Sequence, residues 1–422
     1  MGAYEMTMNF YETSLLKHSI QNYLFLSTDS KLCELLNEKD IPCIQYSSDP
    51  SSDKRSVYGS KDFIRKMNIR TYMILDALKL GYNVLHTDVD VIFRSNPFLD
   101  LPCLNGSCDV AVMWDDSAYN AGFLFIRSNN ATIELYKDIK RTAETTGRDD
   151  QLALNDALKK FKGRLKIVKL SEAKYSCGKY FYEDPGRHFG DDPSLDKTTA
   201  IVIHNNWIVS IEAKIYRFKE LLQWSYDGSG YYSSNSAKYI SYENPMLSAS
   251  ADKKADRPTD VWKREKKALQ NALMVGALLN RSVILPKFHC KKKLCSLLNW
   301  IKIKEFDVVF KDRYRENLFL THSKVPSDIS SSVSPLYLIE SGSSALGISS
   351  SDDIILHEPS DKDNGPSDTE ILQWYGNVAE KILRFKFLNG EFKHLQNLPL
   401  GSYSTSIKAF EIAFVNGNYR QM

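Results

Sequence analysis

The stretch GYNVLHTDVDVIFRSNPF, residues 81–98, sets two carboxylates one residue apart inside an otherwise apolar run. Apolar residues with almost no alternation indicate a sheet strand covered on both faces by helices. In such a strand Asp88 and Asp90 point the same way while Val89 points into packing. Burying unpaired charge is costly, and a cation is the natural compensation. Two aligned carboxylates at the carboxyl end of a strand make a hard, oxygen-rich site for Mn²⁺ or Mg²⁺. Ligands of open parallel sheets sit at that end.

The flanking sequence supports an α/β layering. NFYETSLLKHSI has helical apolar spacing, although the first ten residues, MGAYEMTMNF, resemble the tail of a strand. NYLFLST and IPCIQYS read as strands around the helix DSKLCELLNEKD. KDFIRKMNIRTYMILDALKLG is a long amphipathic helix closed by Gly81. CDVAVMWD and AGFLFIR continue the strands, two helices follow (ATIELYKDIKRTAETTG and DDQLALNDALKKF), and RLKIVKLS and TAIVIHNN are late strands. Strands alternating with helices predict a mainly parallel sheet with helices on both faces. This domain is expected over residues 1–224, residues 225–250 as a Tyr-, Ser- and Gly-rich linker or irregular loop, and residues 251–422 as a second, smaller α/β domain opening with a capped amphipathic helix and a strand.

Composition narrows the function classes. The 422-residue chain carries a net charge of only +3, which gives no reason to expect a nucleic-acid partner. No apolar run approaches the roughly 20 residues of a membrane span, and the first residues lack the basic start and apolar core of a signal peptide. The expectation is a form of a longer chain from which an N-terminal anchor has been removed. The seven cysteines contain no CxxC. Cys103/Cys108 and Cys290/Cys295 are close enough for local disulfides, Cys33/Cys43 suit a helix-to-strand bridge, and Cys177 is left over. Sequons at Asn105, Asn130 and Asn280 join these cysteines in pointing to a secretory lumen, with cytoplasm as the alternative. The basic runs KREKK (263–267) and KKK (291–293) read as solvated faces.

Three further motifs accompany the DVD strand: YNAGFLFIRSN (119–129), RDDQLALNDAL from Arg148, and IVIHNNWI, in which His204 ends a strand and offers a third, nitrogen ligand. Together with HNNWIVSIEAKIYRFKELLQW, these resemble the nucleotide-diphospho-sugar transferases of glycosyltransferase family 77, across roughly residues 7–224. The resemblance implies a GT-A (Rossmann-like) fold and a metal-dependent retaining glycosyltransferase. Its donor would be a UDP-sugar of galactose, xylose or arabinose type and its acceptor a glycan or glycoprotein hydroxyl. The implied residence is the Golgi, as a type II membrane protein in full-length form.

The resemblance also implies roles. Asp88, Asp90 and His204 would hold Mn²⁺ (or Mg²⁺) on the donor diphosphate. Thr7 and Asn9 would end the first strand near the uridine, and Arg70 would lie near the donor. Asn120 and Gly122 would line the donor sugar, Asp150 and Gln151 would lie at the reacting sugar, and Lys214 would neutralise the β-phosphate. This chain departs from the family pattern in its truncated first strand and in Ser210, which stands where many relatives have glycine. The alternative reading is a catalytically weak or inactive sugar-nucleotide-binding protein whose C-terminal domain carries the biological role.

Overall fold

The computed structural model describes residues 2–46, 56, 59–182, 199–245, 258–290, 293–332, 335–339, 354–386, 388 and 390–392. Its chain divides into two compact units: residues 1–187 with 195–209, and residues 188–194 with 210–422.

The first unit is layered α/β. Strands β1 (Phe25–Ser27) and β2 (Cys43–Gln45) form a parallel pair, and the Cys33–Cys43 disulfide ties β2 to the helix Ser30–Asn37. Strands β3 (Val84–Thr87), β4 (Val91–Phe93), β5 (Val110–Asp115), β6 (Ala118–Ile126), β7 (Ile167–Lys169), β8 (Tyr175–Ser176) and β9 (Val202–His204) form two sheets, ordered β3-β6-β5-β7 and β4-β9-β8. Parallel pairing occurs at β5–β7 and β8–β9, whereas β3–β6, β5–β6 and β4–β9 are antiparallel. With β1–β2, three strand pairs among the described residues of this unit are parallel and three antiparallel, so the expected parallel pairing is interrupted here by antiparallel strands. The reason is local: Asp115 pairs with Ala118 across the two residues Asp116 and Ser117, with Asp116 at φ +62°, and so short a connection can join only antiparallel strands.

Three long helices of this unit start where side-chain chemistry dictates. Ser60 caps Lys61–Lys79 through the Phe63 N–H. Asn129 and Thr132 form a capping box on Asn130–Thr146, which Gly147 ends at φ +65°. Asp149 caps Asp150–Lys160 through the Leu152 N–H. These helices bury Ile74, Leu75, Leu78, Leu135, Ile139 and Leu154 with Val110, Val112, Leu124 and Ile126 of the sheet in one apolar core. Each such side chain contributes roughly 1.5–3 kcal/mol.

The chain start is a correction. Residues Gly2–Phe10 form an α-helix that continues through a π-helical turn, Tyr11–Leu16, rather than the tail of a strand. Thr7 donates its hydroxyl to the Ala3 carbonyl, and the consecutive residues Met6 to Phe10 are all buried. A run buried on every side carries no period from which helix and strand can be told apart. Farther along, Ser14 Oγ accepts from the Phe93 N–H (2.9 Å) and His18 Nε2 meets the Phe93 carbonyl (2.7 Å), so these side chains satisfy the exposed edge of β4.

The second unit carries the parallel sheet. Strands β10 (Tyr239–Tyr242), β11 (Ser282–Ile284), β14 (Tyr314–Arg315), β15 (Leu336–Ile339), β16 (Ile354–His357) and β17 (Ile382–Phe385) run in the order β14-β11-β10-β17-β15-β16, every pair parallel. A separate antiparallel pair joins β12 (Phe288–Cys290) to β13 (Lys293–Cys295). Strand β10 lies inside the stretch expected to be a linker. Its buried Tyr239, Ile240 and Tyr242 fill the middle of the sheet, a signal hidden by the Ser, Gly and Asn around them. The helix Pro258–Leu278 running to β11 is as expected from the sequence. The side chains of Cys290, Cys295 and residues 291–293, and residues 340–353, lie outside the described residues.

Helix Ile211–Glu220 opens this unit. Ser210 caps it through the Ala213 N–H but holds φ +84°, ψ 141°, a region that suits glycine. At the other end, buried Glu220 accepts from Ser296 Oγ and the Leu297 N–H. Burial pushes its carboxyl up to about 7, against those two bonds. Asp307, bonded by the Tyr314 hydroxyl, is pushed up to about 6, again chiefly by burial.

Two outcomes follow. Replacing Ser210 with Gly removes about 1–3 kcal/mol of backbone strain and only a few tenths of cap, so denaturant titration should register a gain of roughly 1 kcal/mol; destabilisation would contradict the backbone assignment. A carboxyl whose pKa rises on folding stabilises fully below its unfolded value, and that stability is lost as pH rises through the folded one. For Glu220 the window runs from 4.5 to about 7. Glu220→Gln should therefore raise stability at pH 8 by up to roughly 3 kcal/mol and leave it unchanged at pH 4; an equal effect at both pH values would refute the assignment.

Candidate active site

The DVD segment is not one continuous strand. Strand β3 ends at Thr87, residues 89–90 turn, and β4 begins at Val91 in a different sheet. The Asp88 N–H still donates to the Gly122 carbonyl of β6 (2.8 Å), while the Asp90 carbonyl accepts from the Asn205 N–H beyond β9 (2.8 Å). The two aspartates thus belong to two sheets, and the turn between them brings their carboxylates together. Side chains at i and i+2 of a straight strand would stand nearly 7 Å apart.

His204 completes the group, because β9 pairs Val91 with His204 and so sets the imidazole beside Asp90. His204 Nε2 is 3.3 Å from Asp90 Oδ1 and 3.8 Å from Asp88 Oδ2. One ligand atom from each of Asp88, Asp90 and His204 lies within 4.8 Å of the others. Gly122 is the floor of this cluster. A Cβ there would stand 2.5 Å from Asp88 Oδ2 and 2.5 Å from His204 Cε1. Two carboxylate oxygens and an imidazole nitrogen converging on a space kept clear by glycine fit a divalent cation of the Mn²⁺ type.

A second tier holds the first. Arg70, on the helix Lys61–Lys79, donates from Nη1 to Asp88 Oδ1 (2.8 Å) and engages both oxygens of buried Asp150 through Nε and Nη2. Burial pulls the Arg70 guanidinium down, but Asp150 and Asp88 outweigh it and hold it above its ordinary value. Burial likewise pushes the Asp88 carboxyl up, but Arg70, His86 and His204 prevail and keep it well below the usual carboxylate range. Gln151 accepts at Oε1 from the Ala121 N–H (3.1 Å). Asn120 accepts at Oδ1 from the Gly122 N–H (2.7 Å), which fixes the floor of the site.

The structure thus brings Asp88, Asp90, His204, Arg70, Asn120, Gly122, Asp150 and Gln151 into one bonded group. Thr7 and Asn9 lie on the first helix instead of a strand, with the Thr7 hydroxyl turned to Ala3. Lys214 lies on the helix Ile211–Glu220 of the second unit.

Sequence reasoning missed two residues that organise this group. Buried Asp115 accepts from Asn120 Nδ2 (2.9 Å) at one oxygen and from Asn206 Nδ2 (3.1 Å) and Trp207 Nε1 at the other. It thereby ties the loop after His204 to Asn120; Trp207 takes up φ +58° there. Asn155 bonds both the N–H and the carbonyl of Tyr119, at 2.9 and 2.8 Å. A polar residue four positions beyond Gln151 on one helix face was the available signal.

Residues 18–218 match the family model described as nucleotide-diphospho-sugar transferase. The chain is 31% identical over 194 residues to the UDP-galactose:fucoside alpha-3-galactosyltransferase of Dictyostelium discoideum, covering 41% of this chain and 30% of that protein. It is 31% identical over 196 residues to the beta-arabinofuranosyltransferase RAY1 of Arabidopsis thaliana, covering 41% and 36%. It is 26% identical over 210 residues to the UDP-D-xylose:L-fucose alpha-1,3-D-xylosyltransferase 3 of the same plant, covering 42% and 52%. The chain therefore spans between 30% and 52% of these relatives' own lengths.

Replacing Gly122 with Ala drives a methyl into Asp88 and His204. Calorimetric titration with Mn²⁺ should show affinity reduced by about tenfold or more; an unchanged affinity would mean that the cation binds elsewhere.

Proposed function

From the match of residues 18–218 to the nucleotide-diphospho-sugar transferase family, we propose that this chain is a metal-dependent, retaining glycosyltransferase. It moves galactose, xylose or arabinose from a UDP-sugar to a hydroxyl of a glycan or glycoprotein. The observation that carries this reading is the convergence of Asp88, Asp90 and His204 over Gly122. Those three residues would hold Mn²⁺, or Mg²⁺ in its stead. A divalent cation there supplies Lewis-acid neutralisation of the diphosphate as the sugar leaves.

The remaining chemistry falls to the protein's own groups. Arg70 fixes the Asp88 carboxylate in one rotamer and keeps it ionised. Asn120, locked between Asp115 and the Gly122 N–H, lines the donor sugar. Asp150 and Gln151 lie beneath the reacting sugar. Because Arg70 engages both oxygens of Asp150, that carboxylate acts by positioning Arg70 rather than as a covalent nucleophile. Retention then proceeds by front-face substitution: the acceptor hydroxyl attacks the face that the diphosphate leaves, and a leaving phosphate oxygen takes its proton. The Cys33–Cys43 and Cys103–Cys108 disulfides support residence in the secretory lumen, in the Golgi. Among the described residues no helix is long and apolar enough to cross a membrane.

The test is a screen of UDP- and GDP-sugars with Mn²⁺, followed by Asp90→Ala on whichever donor is used. Transfer should fall by at least about a hundredfold with the fold intact by circular dichroism. A fully active Asp90→Ala protein would remove the metal role, and failure of every donor would remove the enzyme reading.

A further inference from the structure

Three Asn-x-Ser/Thr triplets occur, and the fold treats them differently. In Asn130-Ala-Thr132 the Thr132 side chain is fully buried; its hydroxyl donates to the Arg127 carbonyl, and its oxygen accepts the Asn129 N–H of the capping box. In Asn280-Arg-Ser282 the asparagine sits at φ +50° and accepts from Arg313 Nη1 (3.2 Å). The Arg281 between them is buried, and Ser282, the first residue of β11, donates to the Asp312 carbonyl (2.9 Å). Both hydroxyls are committed to holding the protein together.

The triplet Asn105-Gly106-Ser107 is the opposite case. All three residues are exposed, on a loop closed by the disulfide between buried Cys103 and Cys108. Gly106 turns the loop at φ +84°, and a bond from Arg127 Nη1 to the Gly106 carbonyl (3.1 Å) steadies it. Asn105 uses only its oxygen locally, accepting from the Ser107 N–H (3.0 Å); the reactive atom of an N-glycosylation acceptor is the amide nitrogen. The loop leads into Val110 at the start of β5, whereas Asp115 and Asn120 flank the far end of the β5–β6 hairpin. At roughly 3.3 Å per residue, five strand residues put about 17 Å between loop and site, so a large group on the loop leaves the site open.

We propose that Asn105 is an N-glycan attachment site. The donor class is an oligosaccharide on a lipid diphosphate, delivered by a membrane oligosaccharyltransferase. The Nδ2–C1 bond forms as the C1–O bond to the diphosphate breaks, the lipid diphosphate leaves with the electron pair, and the amide proton passes to the transferase. The assignment is independent of the chain's own activity. It does require passage through the lumen in which the two disulfides form.

The test directs the full chain into the secretory pathway of eukaryotic cells and treats the recovered soluble protein with peptide:N-glycosidase F. Digestion should raise the mobility of the wild type, and N105Q and S107A should each lack one glycan that S107T retains. Should N105Q fail to accumulate, mass mapping of digested wild type reads the same site through the deamidation left at Asn105. A soluble secreted chain with no glycan at Asn105, or a digestion shift unchanged in N105Q, overturns the assignment.

Discussion

One guanidinium holds the site together. Arg70 reaches Asp88 with one nitrogen and Asp150 with two, spanning the helix Lys61–Lys79, the end of β3 and the first turn of Asp150–Lys160. A buried charge pair is a weak source of stability, because desolvation consumes much of what attraction returns. Its value here is positional. Asp88 is kept ionised and in place by groups that are themselves fixed, which is the preorganisation that electrostatic catalysis requires.

Around that tether the fold solves a geometric problem. Two carboxylates and an imidazole must approach one another from three chain segments, and like charges resist being brought together. The parting of β3 and β4 at Val89 lets each aspartate be fixed by its own sheet: Asp88 by the Gly122 carbonyl, Asp90 by the Asn205 N–H. Backbone bonds bear the cost of holding the charges close, and Gly122 supplies the space. Asp115 performs a similar service one hairpin away, binding Asn120 to the loop of Asn206 and Trp207.

What was legible in the sequence was whatever left a chemical anomaly. Asp88 and Asp90 stand out because acids are rare in an apolar strand, and His204 because it closes another such strand. Gly81 marked its helix end correctly, turning at φ +88° just past Lys79, since such a glycine acts over a single turn. The turn at Val89 left no mark, because Val suits strand and turn flank alike, and only pairing to β6 and β9 separates the halves. Thr7 and Asn9 misled for a related reason: a helix buried all round shows neither a period of two nor one of 3.6. Strand β10 is four residues long and set among Ser, Gly and Asn, too short to outweigh its surroundings. Asp115 closes a hairpin that reads as an ordinary acidic turn, and its role rests on Asn206 and Trp207, about ninety residues away.

The proposed chemistry requires a cation seated between Asp88, Asp90 and His204. The most direct measurement is anomalous X-ray scattering at the manganese edge from crystals of this chain grown with Mn²⁺ and UDP. A single strong peak roughly 2.0–2.6 Å from a carboxylate oxygen of Asp88 and of Asp90 and from His204 Nε2 is the predicted result. A peak away from those three residues, with UDP bound and their side chains ordered, would contradict it.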